Sequence, residues 1–175
     1  TVDFGNFVDV YLNVPRFFSW RIPRGNAGVE YGIAGGPDID IIGEFEKLID
    51  SQGIQIKNRC SGMIPIGPPA SVSTKRGFLI GDAAGQTKPF TGGGIVYGLI
   101  ASECAANVVN SDRTETVGMY EQDWRKRIGK EIEMGKWIRK EYSLPQTVQS
   151  MGLRFFSGEI GVHMDRPTSL FSREQ

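Results

Sequence analysis

The stretch Arg76-Gly77-Phe78-Leu79-Ile80-Gly81-Asp82-Ala83-Ala84-Gly85-Gln86-Thr87-Lys88-Pro89-Phe90-Thr91-Gly92-Gly93-Gly94-Ile95 decides how the rest of the chain is read. Phe78-Leu79-Ile80 is a short apolar run that predicts a buried strand. The run ends in Gly81-Asp82 and crosses a loop punctuated by Gly85 and Pro89. Three glycines then lead into a helix predicted from about Gly94 to Asn110. Gly94, Gly98, Ala101, Ser102, Ala105 and Ala106 give that helix a nearly bare face. The first amides of a helix lack partners and carry about half a positive charge. Glycines there clear side chains away, so an electron-rich ligand can rest on bare N–H groups. Asp82, expected at the carboxyl end of a sheet, adds an acceptor for ligand hydroxyls. A donor end beside such an acid suits a sugar-like chain joined to a polarisable head better than a nucleotide phosphate. The phosphate-loop pattern is not met, because Gln86 and Thr87 follow Gly85 where Lys-Ser/Thr would be needed. A purely structural turn before a core helix is the alternative; Gly-Asp, Pro89 and the small-residue helix together favour a site.

The 175 residues suffice for a real core, and the zero net charge gives no sign of a nucleic-acid partner. Cys60 and Cys104 stand in no metal or disulfide spacing, which fits a reducing, cytoplasmic setting and no metal. No signal peptide is visible, and the longest apolar run, around 93–109, contains Glu103 and is too short and polar for a comfortable membrane span. A soluble protein is expected.

Before the glycine stretch, residues 7–12 and 16–23 predict two strands, with Phe18, Trp20 and Ile22 on one face. Turn chemistry at 24–28 leads to a third strand at 29–34, making an antiparallel hairpin. Residues 38–52 predict a helix capped by Asp38 or Asp40, with Ile41, Ile42, Phe45, Leu48 and Ile49 as its apolar stripe and Gly53 as its stop. Residues 54–66 show a strand pattern broken at Gly62, and Cys60 reads as a small buried hydrophobe. After the glycine stretch, 114–142 predicts one long helix with Val117, Tyr120, Trp124, Ile128, Ile132, Gly135 and Ile138 facing a core. Its Lys126, Arg127, Lys130, Lys136, Arg139 and Lys140 make either a solvated face or one drawn to anionic lipid. Met134 and Trp137, off the stripe, would line a greasy tunnel or a second helix contact. Pro145 ends the helix, and a further helix is expected over 146–156.

Gly81-Asp82-Ala83-Ala84-Gly85, then Pro89, then Thr91-Gly92-Gly93-Gly94-Ile95, resembles the second flavin-binding motif of FAD-dependent oxidoreductases of the p-hydroxybenzoate-hydroxylase fold. Gly85 and Gly93 stand where the aromatic hydroxylases usually carry His and Gln, so the likeness is greatest to the geranylgeranyl reductase family. Phe18-Ser19-Trp20-Arg21-Ile22-Pro23, eight residues and Gly32-Ile33-Ala34 resembles that family's substrate signature, departing from it at Phe18, Ile22 and Ala34. Ile64-Pro65-Ile66-Gly67 and the tail 158–170 are similar to further family segments. The resemblance implies an α+β chain: an antiparallel substrate-binding sheet and helix (1–70), the carboxyl-terminal flavin strand-loop-helix (71–110) and long helices (111–175). It implies FAD held by Gly81, Asp82, Pro89, Gly92, Gly93, Gly94 and Ile95. It implies an isoprenoid lipid substrate along Phe18, Trp20, Ile22, Pro23 and Gly32, and peripheral membrane contact. It names no catalytic residue and no reductant. A flavin monooxygenase or halogenase of the same fold, or a non-catalytic lipid- or partner-binding fragment, are the competing readings. A strand-GxGxxG-helix unit for the ADP half of FAD is missing and the chain opens at Thr1, so the expectation is the carboxyl-terminal part of a longer protein or a trimmed piece of one.

Overall fold

A computed structural model describes residues 7–74, 76–110, 116–141, 144 and 148. They form an α+β arrangement in two compact units, one drawn mainly from 7–61 and the other mainly from 62–139. The helix expected at 146–156 and the tail motif at 158–170 lie outside the described residues.

In the first unit, β1 (Asp9–Val14), β2 (Phe17–Pro23) and β3 (Val29–Ile33) form the expected antiparallel meander, in the order β1-β2-β3. Register is set by Trp20, which pairs with Val10 on one side and Gly32 on the other. α1 (Ile41–Gln52) starts at Asp40, whose carboxylate accepts the Gly43 N–H at 3.1 Å, and ends at Gly53 in the left-handed region. The buried hydrophobes of this unit are Val14, Phe17 and Phe18 on the sheet and Ile49 on α1. Ile42 departs from the predicted stripe and is 73% exposed, since it turns about 100° away from Ile41.

In the second unit, α2 (Ile95–Val109) packs on α3 (Thr116–Trp124). α3 continues through a π-helical turn (Arg125–Gly129) into α4 (Lys130–Glu141). Tyr120, Trp124, Ile128 and Ile132 are fully buried and lie in one core with Tyr97, Cys104, Ala105 and Val108. A strict four-residue spacing drifts about 40° per step around an α-helix. The wider π turn rotates each residue less, which lets Trp124 and Ile128 keep to one face. The pattern was legible; the local winding that serves it was not. Val117's side chain is not among those described, and Trp137, one candidate for a tunnel wall, is 62% exposed.

Three expectations need correction. Phe78-Leu79-Ile80 is not a buried strand: only β5 (Gly77–Phe78) pairs, antiparallel to β4 (Ser73–Thr74), and Leu79 is half exposed. No parallel sheet surrounds it among the described residues, so the acid at Asp82 is placed by other means. Residues 54–66 form no strand, because Gly62 and Pro65 interrupt the pattern and no described strand pairs with it. Cys60, on that irregular segment, is exposed rather than buried.

β4 is tied to α3 through one carboxylate. Glu121 accepts hydrogen bonds from Ser71 Oγ (2.9 Å), Ser73 Oγ (2.6 Å) and the Val72 N–H (3.3 Å), and forms an ion pair with Arg125. Burial alone would raise its pKa, but the bonds from Ser73, Arg125, Ser71 and Val72 outweigh it and hold the carboxyl at about 2, below its ordinary 4.5. A depressed folded-state pKa gives stability that is complete above the ordinary value and is lost as pH falls through the folded one. Glu121→Gln should therefore flatten the loss of stability between about pH 5 and pH 2, measured by urea unfolding at each pH. Parallel curves for variant and wild type would contradict this assignment.

Candidate functional site

The glycine stretch folds as a short strand, a 3-10 turn over Gly81–Ala84 and a tight loop into α2. Its entry is held by a fully buried Gln86. The side-chain carbonyl of Gln86 accepts the Gly81 N–H at 2.7 Å, and its amide donates to the Tyr120 hydroxyl at 2.9 Å. That hydroxyl donates in turn to the Leu79 carbonyl at 2.7 Å, and the Tyr120 ring stacks on Phe78. Gly85 has φ +64°, and a side chain there would overlap the Gly67 carbonyl. Thr87 Oγ1 donates to the Pro65 carbonyl at 2.6 Å. The segment 64–67 thus lies backbone to backbone beneath the motif, which accounts physically for glycine at 85.

The loop is clamped from α4. Gly135 is buried, and a Cβ there would stand 2.8 Å from Pro89 Cδ and 3.2 Å from Phe90 Cδ1. Arg139 Nη1 donates to the Pro89 carbonyl at 3.0 Å. Pro89 is therefore buried against the helix, where it shapes the loop. Lys88 exchanges backbone bonds with the turn, donating N–H to the Gly93 carbonyl at 2.9 Å and accepting the Gly92 N–H at 2.8 Å. Its side chain is buried, with Nζ 5.6 Å from the centre of the Tyr97 ring. The Tyr97 hydroxyl donates to Glu131 at 2.8 Å. Burial and that bond to Glu131 push the Tyr97 pKa upward, so the phenol stays a donor. Burial also raises the Glu131 pKa, against the hydrogen bond from Tyr97 and the charge of Lys88.

Two donors are left open at the mouth. The Gly92 N–H goes to Lys88 and the Gly93 N–H to Thr91 Oγ1 at 3.3 Å, whereas Gly94 and Ile95 have no acceptor among the described residues. Among the described residues no side chain caps α2, and its first turn holds no acid. Asp82 is exposed, and its carboxylate, which accepts no hydrogen bond among the described residues, stands 2.6 Å from where a Gly94 Cβ would be. Glycine at 94 makes that approach possible. Of the seven predicted residues, Asp82, Gly94 and Ile95 thus meet at the opening, and Gly81, Pro89, Gly92 and Gly93 set the backbone.

In the first unit, Phe18 is buried, stacked on Phe17 and edge-on to Trp20, while Trp20, Ile22 and Pro23 are half-buried. The Trp20 indole lies directly over Gly32, where any side chain would overlap it. Gly32 is thus the seat of Trp20 across the strands. Among the described residues no cluster of His, Cys, Asp and Glu could hold a metal, and no helix is long and apolar enough to cross a membrane.

Open helix-start amides, a facing acid and a buried loop clamp thus come together at the head of α2. The chain is 34% identical to digeranylgeranylglycerophospholipid reductase 1 of Methanococcoides burtonii, over 73% of this chain and 35% of that protein. It is 33% identical to the enzyme of the same name from Methanothrix thermoacetophila, over 67% of this chain and 34% of that protein. It is 27% identical to an uncharacterized protein of Methanocaldococcus jannaschii, over 94% of this chain and 48% of that protein. The chain belongs to the geranylgeranyl reductase family. It spans between about a third and a half of the length of these relatives. No family model and no solved structure matches it.

The signals that could have exposed the missed residues were weak. Gly135 is the one small residue in a stripe of large ones, which marks a close approach; Gln86, Lys88 and Glu131 carry no such mark. Tyr120→Phe would leave the buried Gln86 amide without its acceptor and the Leu79 carbonyl without its donor. The expected cost is about 1–3 kcal/mol, read as a lower urea midpoint with unchanged slope. A midpoint equal to wild type would show that the Gln86 bridge does not hold the motif.

Proposed function

We propose that the chain is the carboxyl-terminal part of a flavin-dependent reductase of the p-hydroxybenzoate-hydroxylase-like fold that saturates C=C bonds of an isoprenoid lipid. The carrying observation is the exposed Asp82 carboxylate beside the start of α2, neither of them met by a side-chain partner among the described residues, in a chain with relatives named digeranylgeranylglycerophospholipid reductase. The residues fit FAD: Asp82 would accept the ribityl hydroxyls, and the open N–H groups of Gly94 and Ile95 would meet an electron-rich edge of the ring system. When bound, FAD would supply the hydride. Gly81, Gly92 and Gly93 keep the backbone clear of side chains, and Pro89 fixes the loop from below.

Residues 1–70 would serve the substrate. Phe18, Trp20, Ile22 and Pro23 offer a rigid apolar surface suited to a methyl-branched chain, with Gly32 seating the indole. The reaction and its lipid suggest a cytoplasmic protein working at the surface of a membrane. The ADP half of FAD would be held by a strand-GxGxxG-helix unit in the remainder of the longer protein.

Two outcomes test this reading. The 175-residue chain, purified alone, should be colourless; a yellow preparation with stoichiometric FAD would refute the need for a second half. In the longer protein, Asp82→Ala should lose FAD on desalting, and normal retention would remove the ribityl assignment.

A further inference from the structure

The junction of α3 and α4 carries a buried polar atom that neither the loop clamp nor the flavin contacts use. Trp124 is fully buried, yet its indole N–H meets no acceptor among the described residues. A buried donor without a partner is costly, so its position points to something bound there. Trp124 is also one wall of a groove of about 380 Å³ beside the π turn, together with Pro68, Arg125, Gly129, Lys130 and Glu133. Such turns are frequent at functional sites. None of these residues belongs to the glycine motif or to the predicted substrate surface. The groove is rich in donors. The Arg125 guanidinium lies over the Trp124 ring, 4.4 Å from its centre. Its Nε and Nη2 are spent on Glu121 and on the Pro69 and Ala70 carbonyls, and Nη1 has no acceptor among the described residues. Glu133 is neutralised by Lys136 at 2.8 Å and Arg125 by Glu121 at 2.7 Å. The exposed Lys130 therefore adds a charge with no counter-ion among the described residues.

We propose that this groove binds the anionic group of a phosphate ester, with the Trp124 N–H, Arg125 Nη1 and the Lys130 ammonium donating to its oxygens. Donors on three separate side chains, two of them cationic, suit a group with several charged oxygens better than a carboxylate with two. Pro68, the indole and the bare backbone of Gly129 face the organic part of the ester. The same chemistry is offered by a soluble phosphate ester and by a phospholipid headgroup. The site stands apart from the flavin reading and does not depend on it.

The test uses the longer protein labelled with ¹⁵N at tryptophan, in which Trp124→Phe identifies the Trp124 indole resonance. Titration with glycerol 3-phosphate should shift that resonance saturably and leave those of Trp20 and Trp137 in place. Lys130→Met, at an exposed position, should weaken binding about tenfold. Lys126→Met, exposed on the same turn but outside the groove, should leave it unchanged. If Trp124→Phe does not fold, calorimetric affinities of the two lysine variants decide the matter. Sedimentation with phosphatidylglycerol vesicles forms the second arm. Binding of glycerol 3-phosphate assigns a soluble ester, whereas sedimentation that Lys130→Met alone abolishes, without binding of the free ester, assigns a headgroup. No response in either arm, or equal losses in Lys130→Met and Lys126→Met, would overturn the site and leave the indole N–H to a bound water.

Discussion

The hydrogen-bonded bridge from Gly81 through Gln86 to Tyr120 and back to Leu79 is the constraint on which the second unit depends. It uses a side-chain amide as a two-ended spacer, with its carbonyl on the motif's backbone and its NH2 on a helix 34 residues further along the chain. Because Gln86 is fully buried, each end must be satisfied within the protein. Satisfaction at both ends fixes the distance between the short strand and α3. With that distance set, Asp82 can project from the 3-10 turn into solvent without a sheet to carry it.

The rest of the loop is set from below by α4, which grips mainly backbone. Gly135 admits Pro89 and Phe90 at van der Waals range, and Arg139 holds a carbonyl. This clamp requires α4 to present Gly135 and Arg139 on the same side as the core stripe. The π turn keeps that stripe in phase across the junction with α3. Of the basic residues on this helix, Arg139 holds the loop, while Arg127 pairs with Glu103 and Lys136 with Glu133 on the solvated surface.

How far the sequence carried the reading depends on what each residue had to signal. The meander, α1, α2 and the Tyr120-to-Ile132 stripe were legible because periodicity and caps are local properties. The helix start at Gly94 was legible to within a residue, since three glycines before an apolar run have few other uses. Strand assignments at 54–66 and beyond Phe78 failed because neither a strand pattern nor a short apolar run says whether a neighbour exists to pair with it. Gln86, Lys88 and Glu131 were illegible for a related reason: a polar residue in a loop or on a helix looks the same whether solvated or bridged. Only their long-range partners distinguish them. Gly32 was read as part of a substrate signature, and its most direct physical use is to make room for Trp20.

The sequence separation of these contacts bears on when the site comes into being. Gln86 and Tyr97 find their partners 34 positions later, and Pro89 finds Arg139 50 positions later. On a growing polypeptide, the whole glycine motif is therefore synthesised before the helix residues that brace it, Tyr120, Glu131, Gly135 and Arg139. Until α3 and α4 have been made and have docked, α2 exists with an unbraced loop at its head and with Tyr97, Cys104 and Val108 lacking the core partners that bury them. The arrangement at the head of α2 is thus a late product of folding, completed by a helix that contributes no atom to its mouth.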